Sequence, residues 1–228
     1  MKFPEAVKVE FYDLNIQLES LEEMDGVVET ARRLGYSGIG LVEKYANLDR
    51  FRKIQEKAKA VKDLRIIPGI LVESDGVKEF RRAVLKARKY SNFVVASGGE
   101  YKINRAASED SRVSILSHPE YKRSDSGVDH VIARFAADNG VAMEVNFHEI
   151  METFRKIRSF VLGHMRLNVE LARKYGTPVV ITSGARCRWD MRDPRELAAV
   201  GQILGMSLEE SMNSVSAASK KIAGVRHG

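Results

Sequence analysis

Val141-Ala142-Met143-Glu144-Val145-Asn146-Phe147-His148 is an apolar, β-branched run that opens after Gly140, encloses one carboxylate and ends on polar residues. A run of this kind reads as a buried strand, and chemistry collected at a strand's end is the habit of an α/β barrel. Working outward, the same design recurs. Strand-like runs cover 7–12, 38–42, 64–72, 93–96, 113–117 and 178–182, with helical patterns between them. Their ends read Asp13-Leu14-Asn15-Ile16-Gln17, Glu43-Lys44, Glu73, Ser97-Gly98-Gly99, Ser117-His118-Pro119 and Ser183-Gly184-Ala185-Arg186. About seven parallel strands alternating with helices predict an α/β fold, a TIM-like (β/α) barrel. No eighth strand is visible after residue 190, so an incomplete barrel, or closure by an irregular segment, is expected.

Local signals place several helices. Ser20 with Glu23 three residues on predicts a capping box, and Gly35 stops that helix after Leu34. Val77, Phe80, Val84 and Ala87 form one stripe of a helix over 77–89, leaving Arg82, Lys86 and Lys89 to solvent. The longest helix is predicted over 155–175, with Ile157, Val161, Met165 and Ala172 inward and Gly176 ending it. Asp193-Pro194 starts a helix through Leu204, and Ser207 with Glu210 caps a last one. A doubly wound nucleotide-binding sheet is excluded, because Asn15-Ile16-Gln17-Leu18-Glu19-Ser20 stands where the glycine-rich turn would be. Neither a Walker A sequence nor a G-x-S-x-G elbow occurs.

At 228 residues and 44% hydrophobic content the chain is expected to form one domain over 1–228. The net charge is +6, and it is unevenly placed. Residues 1–50 carry six Lys/Arg against ten Asp/Glu and the remaining 178 carry 31 against 21, a change from −4 to +10. The basic part is the candidate polyanion surface. Cys187 is alone, which excludes an intrachain disulfide and a thiolate metal cluster. No apolar run is long enough for a signal segment or a membrane span, so the cytoplasm is the expected location and no membrane partner is expected.

The order Asp13-Leu14 after the first strand, His118-Pro119 after a middle one, Glu144 within an apolar strand and Ser183-x-Ala185 after the last resembles the polymerase-and-histidinol-phosphatase (PHP) barrels. That resemblance implies a metal-dependent phosphoesterase scaffold. Yet Asn15 and Gln17 stand for the family's first two His, and Gly184 and Arg186 for its last Asp and His, while His118 and Glu144 remain. Neutral amides, a missing side chain and a permanent cation argue against zinc or manganese, so no cofactor, metal ligand or catalytic residue is expected. A branch with this eroded pattern matches more closely. Phe11-Tyr12-Asp13-Leu14-Asn15, Asn104-Arg105, Ile115 to Pro119, Ala142 to Phe147, Val180 to Arg186 and Trp189-Asp190-Met191-Arg192-Asp193-Pro194 together resemble the archaeal ribonuclease P protein component 3 family. The resemblance implies a non-catalytic subunit of the ribonucleoprotein that removes the 5′ leader from precursor tRNA. It also implies ribonuclease P RNA or precursor tRNA, ribonuclease P protein component 2 and other ribonuclease P proteins as partners.

Arg186, Arg188, Arg192 and Arg195 fall within ten residues around Trp189, just beyond the last strand. Guanidinium groups contact phosphates bidentately and stack on bases, and an indole adds a stacking surface, so these five are candidate RNA-binding residues. The plainer alternative is that Asp190 and Asp193 neutralise the arginines while Trp189 plugs the barrel end. Arg105, His118 and Lys122, the last beside Arg123, complete the candidate set at the same rim. The Arg81, Arg82, Lys86, Arg88 and Lys89 group reads as a solvated outer face. Two other functions stay open: a surviving phosphoesterase using Asp13, His118, Glu144 and His148, and a protein-binding scaffold.

Overall fold

The computed structural model describes residues 9–224. Seven strands, β1 (Phe11–Ile16), β2 (Tyr36–Lys44), β3 (Arg65–Val72), β4 (Val94–Ser97), β5 (Ile115–Ser117), β6 (Ala142–Asn146) and β7 (Val179–Thr182), pair in parallel and in sequence order. The crossovers are α1 (Glu23–Arg33), α2 (Leu48–Ala60), α3 (Val77–Ala87), α4 (Tyr101–Ser108), α5 (His130–Asn139), and the pair α6 (Phe147–Met151) and α7 (Arg155–Tyr175). After β7 come α8 (Pro194–Ile203), α9 (Leu208–Ser214) and α10 (Ala217–Ile222). The expected α/β barrel is present, with its strand count. No helix among the described residues is long and apolar enough to cross a membrane.

Closure uses an irregular segment in place of an eighth strand. Beyond their ends β1 and β7 are stitched by Gln17 N donating to Ala185 O (2.9 Å) and Glu19 N to Arg186 O (3.1 Å). At the other end Tyr12 N donates to the carbonyl of Val215, between α9 and α10 (2.9 Å). Asp13 bridges the middle by accepting Ser183 N (3.1 Å). Inside the barrel, Tyr12, Leu14, Val42, Leu71, Val95, Ile115 and Val180 form a cluster of strand residues, and Ile222 of α10 packs against it. Two outer clusters fill the space between strands and helices.

Three local expectations are corrected. The first strand is β1 at Phe11–Ile16 rather than 7–12, whose opening lies outside the described residues. Asp13 and Asn15 are therefore strand residues, buried by partners inside the barrel, and only Gln17 lies beyond the end. Ser20 makes no capping box: Glu22 occupies the N-cap of α1, and Ser20 Oγ accepts Glu22 N (3.2 Å) in the preceding turn. Ile157 faces outward, 63% exposed, and Val161 is only half-buried. The 21-residue α7 is about 31 Å long at 1.5 Å per residue. The five-residue β6 spans about 17 Å, so the first turns of α7 overhang the barrel. Asp193 with Glu196 and Ser207 with Glu210 do form the expected capping boxes of α8 and α9.

Candidate functional site

A cup of about 490 Å³ opens at the C-terminal ends of the strands, lined by Gln17, Glu43, Lys44, Glu73, His118, Asn146, His148, Glu149, Gly184 and Arg186 among others. Beneath it lies Glu144, 3% exposed and fully bonded. Its Oε1 accepts Asn15 Nδ2 (2.8 Å) and Thr182 Oγ1 (2.6 Å), while its Oε2 accepts Ser117 Oγ and Asn146 Nδ2 (3.3 Å). A carboxylate has about four acceptor positions, and all are taken. Asn15 turns its amide nitrogen toward Glu144, and its own oxygen accepts Gln17 Nε2 (3.0 Å). Gly184 has φ +64°, and a Cβ there would lie 2.1 Å from Asn146 Oδ1. Among the described residues no three His, Cys, Asp or Glu side chains are placed to share a metal ion. This donor set does not fit a divalent cation.

The other titratable groups are governed by burial. Burial raises Asp13 to about 6 against the opposing bonds from Ser183. Burial raises Glu149 to about 7, helped by Glu144. His118 is lowered by burial, so its 3.7 Å approach to Glu149 is only weakly charged at neutral pH. Its backbone is left-handed, φ +35°, which places its Nε2 3.2 Å from Ser97 Oγ and its ring against Tyr121. His148 is likewise lowered by burial, and the buried Nε2 has no hydrogen-bond partner.

The sequence candidates separate in space. Arg186 is exposed at the cup and makes no side-chain hydrogen bond or ion pair among the described residues. Arg188 leaves the cup and lies on α1, where a Cβ at Gly26 would meet its Cδ at 3.1 Å. Its guanidinium also sits 4.9 Å from the Trp189 ring centre. Trp189 is 73% exposed, so it plugs nothing. Arg192 packs on Phe147 (5.4 Å) and Arg195 on Phe11 (5.3 Å). The two aspartates are used as backbone caps: Asp190 accepts Arg186 N and Cys187 N, and Asp193 accepts Arg195 N. None of the four arginines is ion-paired among the described residues, which removes the neutralised alternative.

Lys122 lines the neighbouring groove beside the start of α7, its ammonium over the ring of Tyr121 (4.8 Å), which borders both groove and cup. Arg105 does not reach the rim. It pairs with Glu109 (2.9 Å), which also holds Arg81 of α3, and so belongs to the outer helices. Asn104 beside it is a clamp, donating to the carbonyls of Pro119 and Gly127. The residues the sequence did not single out are Thr182 and Glu120. Thr182 closes the Glu144 cage, and nothing in a strand-final threonine distinguishes such a donor. Glu120 is 3% exposed and raised by burial to about 8, its Oε1 unpartnered and its Oε2 only 3.5 Å from Asn168 Nδ2.

A sequence model of the RNase P subunit p30 family matches residues 10–226. The chain belongs to this family. It is 34% identical to ribonuclease P protein component 3 of Methanothermobacter thermautotrophicus, over 98% of this chain and 94% of the relative. The same protein of Methanosarcina mazei is 31% identical, over 94% and 89%. Among solved structures, a chain of the cryo-EM structure of archaeal ribonuclease P with mature tRNA superposes with TM-score 0.79 at 30% identity, covering 92% of this chain and 90% of that one. Histidinol phosphate phosphatase from Lactococcus lactis, complexed with zinc, L-histidinol and phosphate, superposes at 0.56 with 13% identity and shows the shared barrel alone. A p30-family chain with a saturated Glu144 thus shares a barrel fold with that phosphatase.

Proposed function

We propose that this chain is a non-catalytic subunit of ribonuclease P, binding RNA and supporting removal of the 5′ leader of precursor tRNA by the RNA subunit. The observation that carries it is the near full-length likeness, at TM-score 0.79, to a chain of archaeal ribonuclease P with mature tRNA. The site supports the same reading. A caged Glu144 offers no metal-based hydrolysis, whereas Arg186, Arg188, Arg192 and Arg195 carry unneutralised charge beside an exposed indole. Such groups neutralise phosphates, release counterions and favour the working fold of the RNA or its hold on precursor tRNA. His118, Lys122 and Arg105 complete the proposed contacts; Arg105, on the outer helices, requires RNA that reaches around the barrel.

Ribonuclease P protein component 2 is the proposed protein partner, together with other ribonuclease P proteins. Support comes from the overhanging start of α7, where Ile157 and Phe160 are 63% and 54% exposed beside a groove of about 570 Å³. RNA affinity measured against salt tests the proposal. Each phosphate contact contributes about 0.7 to 0.9 to the negative slope of log affinity against log salt. Replacing Arg186 or Arg195 by Ala is expected to reduce the slope by roughly one. A salt-independent affinity would contradict RNA binding by this surface.

A further inference from the structure

Trp189 is the only tryptophan of the chain and, among the described residues, the most exposed large hydrophobic side chain. An indole left in water forgoes a large burial gain, so its surroundings show what it is kept for. The turn that carries it is fixed from below. Asp190 Oδ2 accepts Arg186 N (3.0 Å) and Cys187 N (3.2 Å), and Arg192 Nη1 donates to the carbonyls of Trp189 (3.0 Å) and Met191 (2.8 Å). The indole is therefore positioned without being buried.

Arg188 completes the arrangement. Its guanidinium contacts both the indole and the surface of α1 at Gly26. Gly26 lies inside α1, where glycine forfeits helix stability relative to alanine, and the space it leaves is filled by Arg188. Helix backbone, guanidinium and indole thus form successive layers, and most of the indole is still open to solvent.

We propose that Trp189, supported by Arg188 on Gly26, is a stacking platform for one unpaired RNA base. This rests on the RNA-binding reading above and names the RNA element it takes. A base in a duplex has its faces covered by its neighbours, whereas an unpaired base offers a face to an aromatic ring. Arg186 and Arg195 lie on either side in the sequence to hold phosphates. A protein partner is the less fitting occupant, because the side chains shown against the turn are the guanidinium groups of Arg188 and Arg192.

The single tryptophan makes the test direct. Full-length protein is titrated with a fluorescently labelled oligouridylate and, separately, with a labelled blunt RNA duplex, reading label anisotropy for binding and indole emission for stacking. Oligouridylate is expected to quench the emission, and the duplex to bind with little quenching. Trp189→Ala should weaken oligouridylate binding about tenfold while changing duplex binding less than twofold, with Trp189→Phe recovering most of the loss. Arg188→Lys, which keeps the charge and removes the planar guanidinium beside the indole, should reduce the quenching. Salt-sensitive binding of both RNAs with unchanged emission would overturn the platform and leave the RNA-binding reading intact. Absence of binding to either RNA would overturn both. A blue shift seen only on adding another ribonuclease P protein would reassign the indole to a protein contact.

Discussion

Glu144 turns a position suited to metal chemistry into a structural joint. Its four donors come from β1, β5, β6 and the end of β7, so one carboxylate ties together both sides of the seam where strand pairing stops. Glu144→Ala leaves those buried donors unpaired and is expected to cost about 3 kcal/mol or more. For a chain of this size that is a loss of roughly 6–12 °C in Tm by calorimetry. Glu120 gives a pH signature. Burial raises its carboxyl from 4.5 to about 8, and a raised pKa means stability present below the unfolded value and lost as pH rises through the folded one. Unfolding free energy is therefore expected to fall between about pH 4.5 and pH 8, by an amount on the order of 3–5 kcal/mol from this group. Glu120→Gln, which can donate to Asn168, should flatten that fall in denaturant titrations; an unchanged profile would contradict the assignment. Among the candidates, the arginine run was legible as a cluster of residue types, but its fate was not. Whether Asp190 pairs with an arginine or caps a turn depends on backbone geometry that spacing does not reveal.

At the scale of elements, most strands and the caps of α8 and α9 could be read because apolar runs and capping boxes are local signals. β1 was displaced because Asp13 and Asn15 look like the end of a strand, and only long-range partners, Ser183 and Glu144, make them tolerable inside one. The α7 stripe misled for a related reason: periodicity marks an apolar face and not what covers it. That face yields a prediction. Ile157→Ser with Phe160→Ser should leave thermal unfolding within about 0.5 kcal/mol, since both side chains are exposed. The pair should also reduce co-purification with ribonuclease P protein component 2; undiminished co-purification would place that contact elsewhere. The β7–α8 connection is equally open to test. Gly184→Asp introduces a carboxylate at the cup, but φ +64° and a Cβ 2.1 Å from Asn146 Oδ1 oppose it. The variant is expected to lower Tm and to gain no manganese or zinc by elemental analysis.

The whole molecule is a barrel whose inner end is locked by neutral donors and whose basic excess is carried after residue 50. That division suits the proposed role, in which the chain holds RNA and leaves the chemistry to it. The most direct measurement is precursor-tRNA cleavage by ribonuclease P RNA reconstituted with its other protein components, with and without this chain, in parallel with the chain alone. The account predicts no cleavage by the chain alone, slower 5′-leader removal when it is omitted, and recovery when it is added back. Recovery should be weaker with Arg186→Ala than with Arg82→Ala on outer helix α3. Chelator-sensitive cleavage by the chain alone, or a reconstituted rate indifferent to its presence, would contradict it.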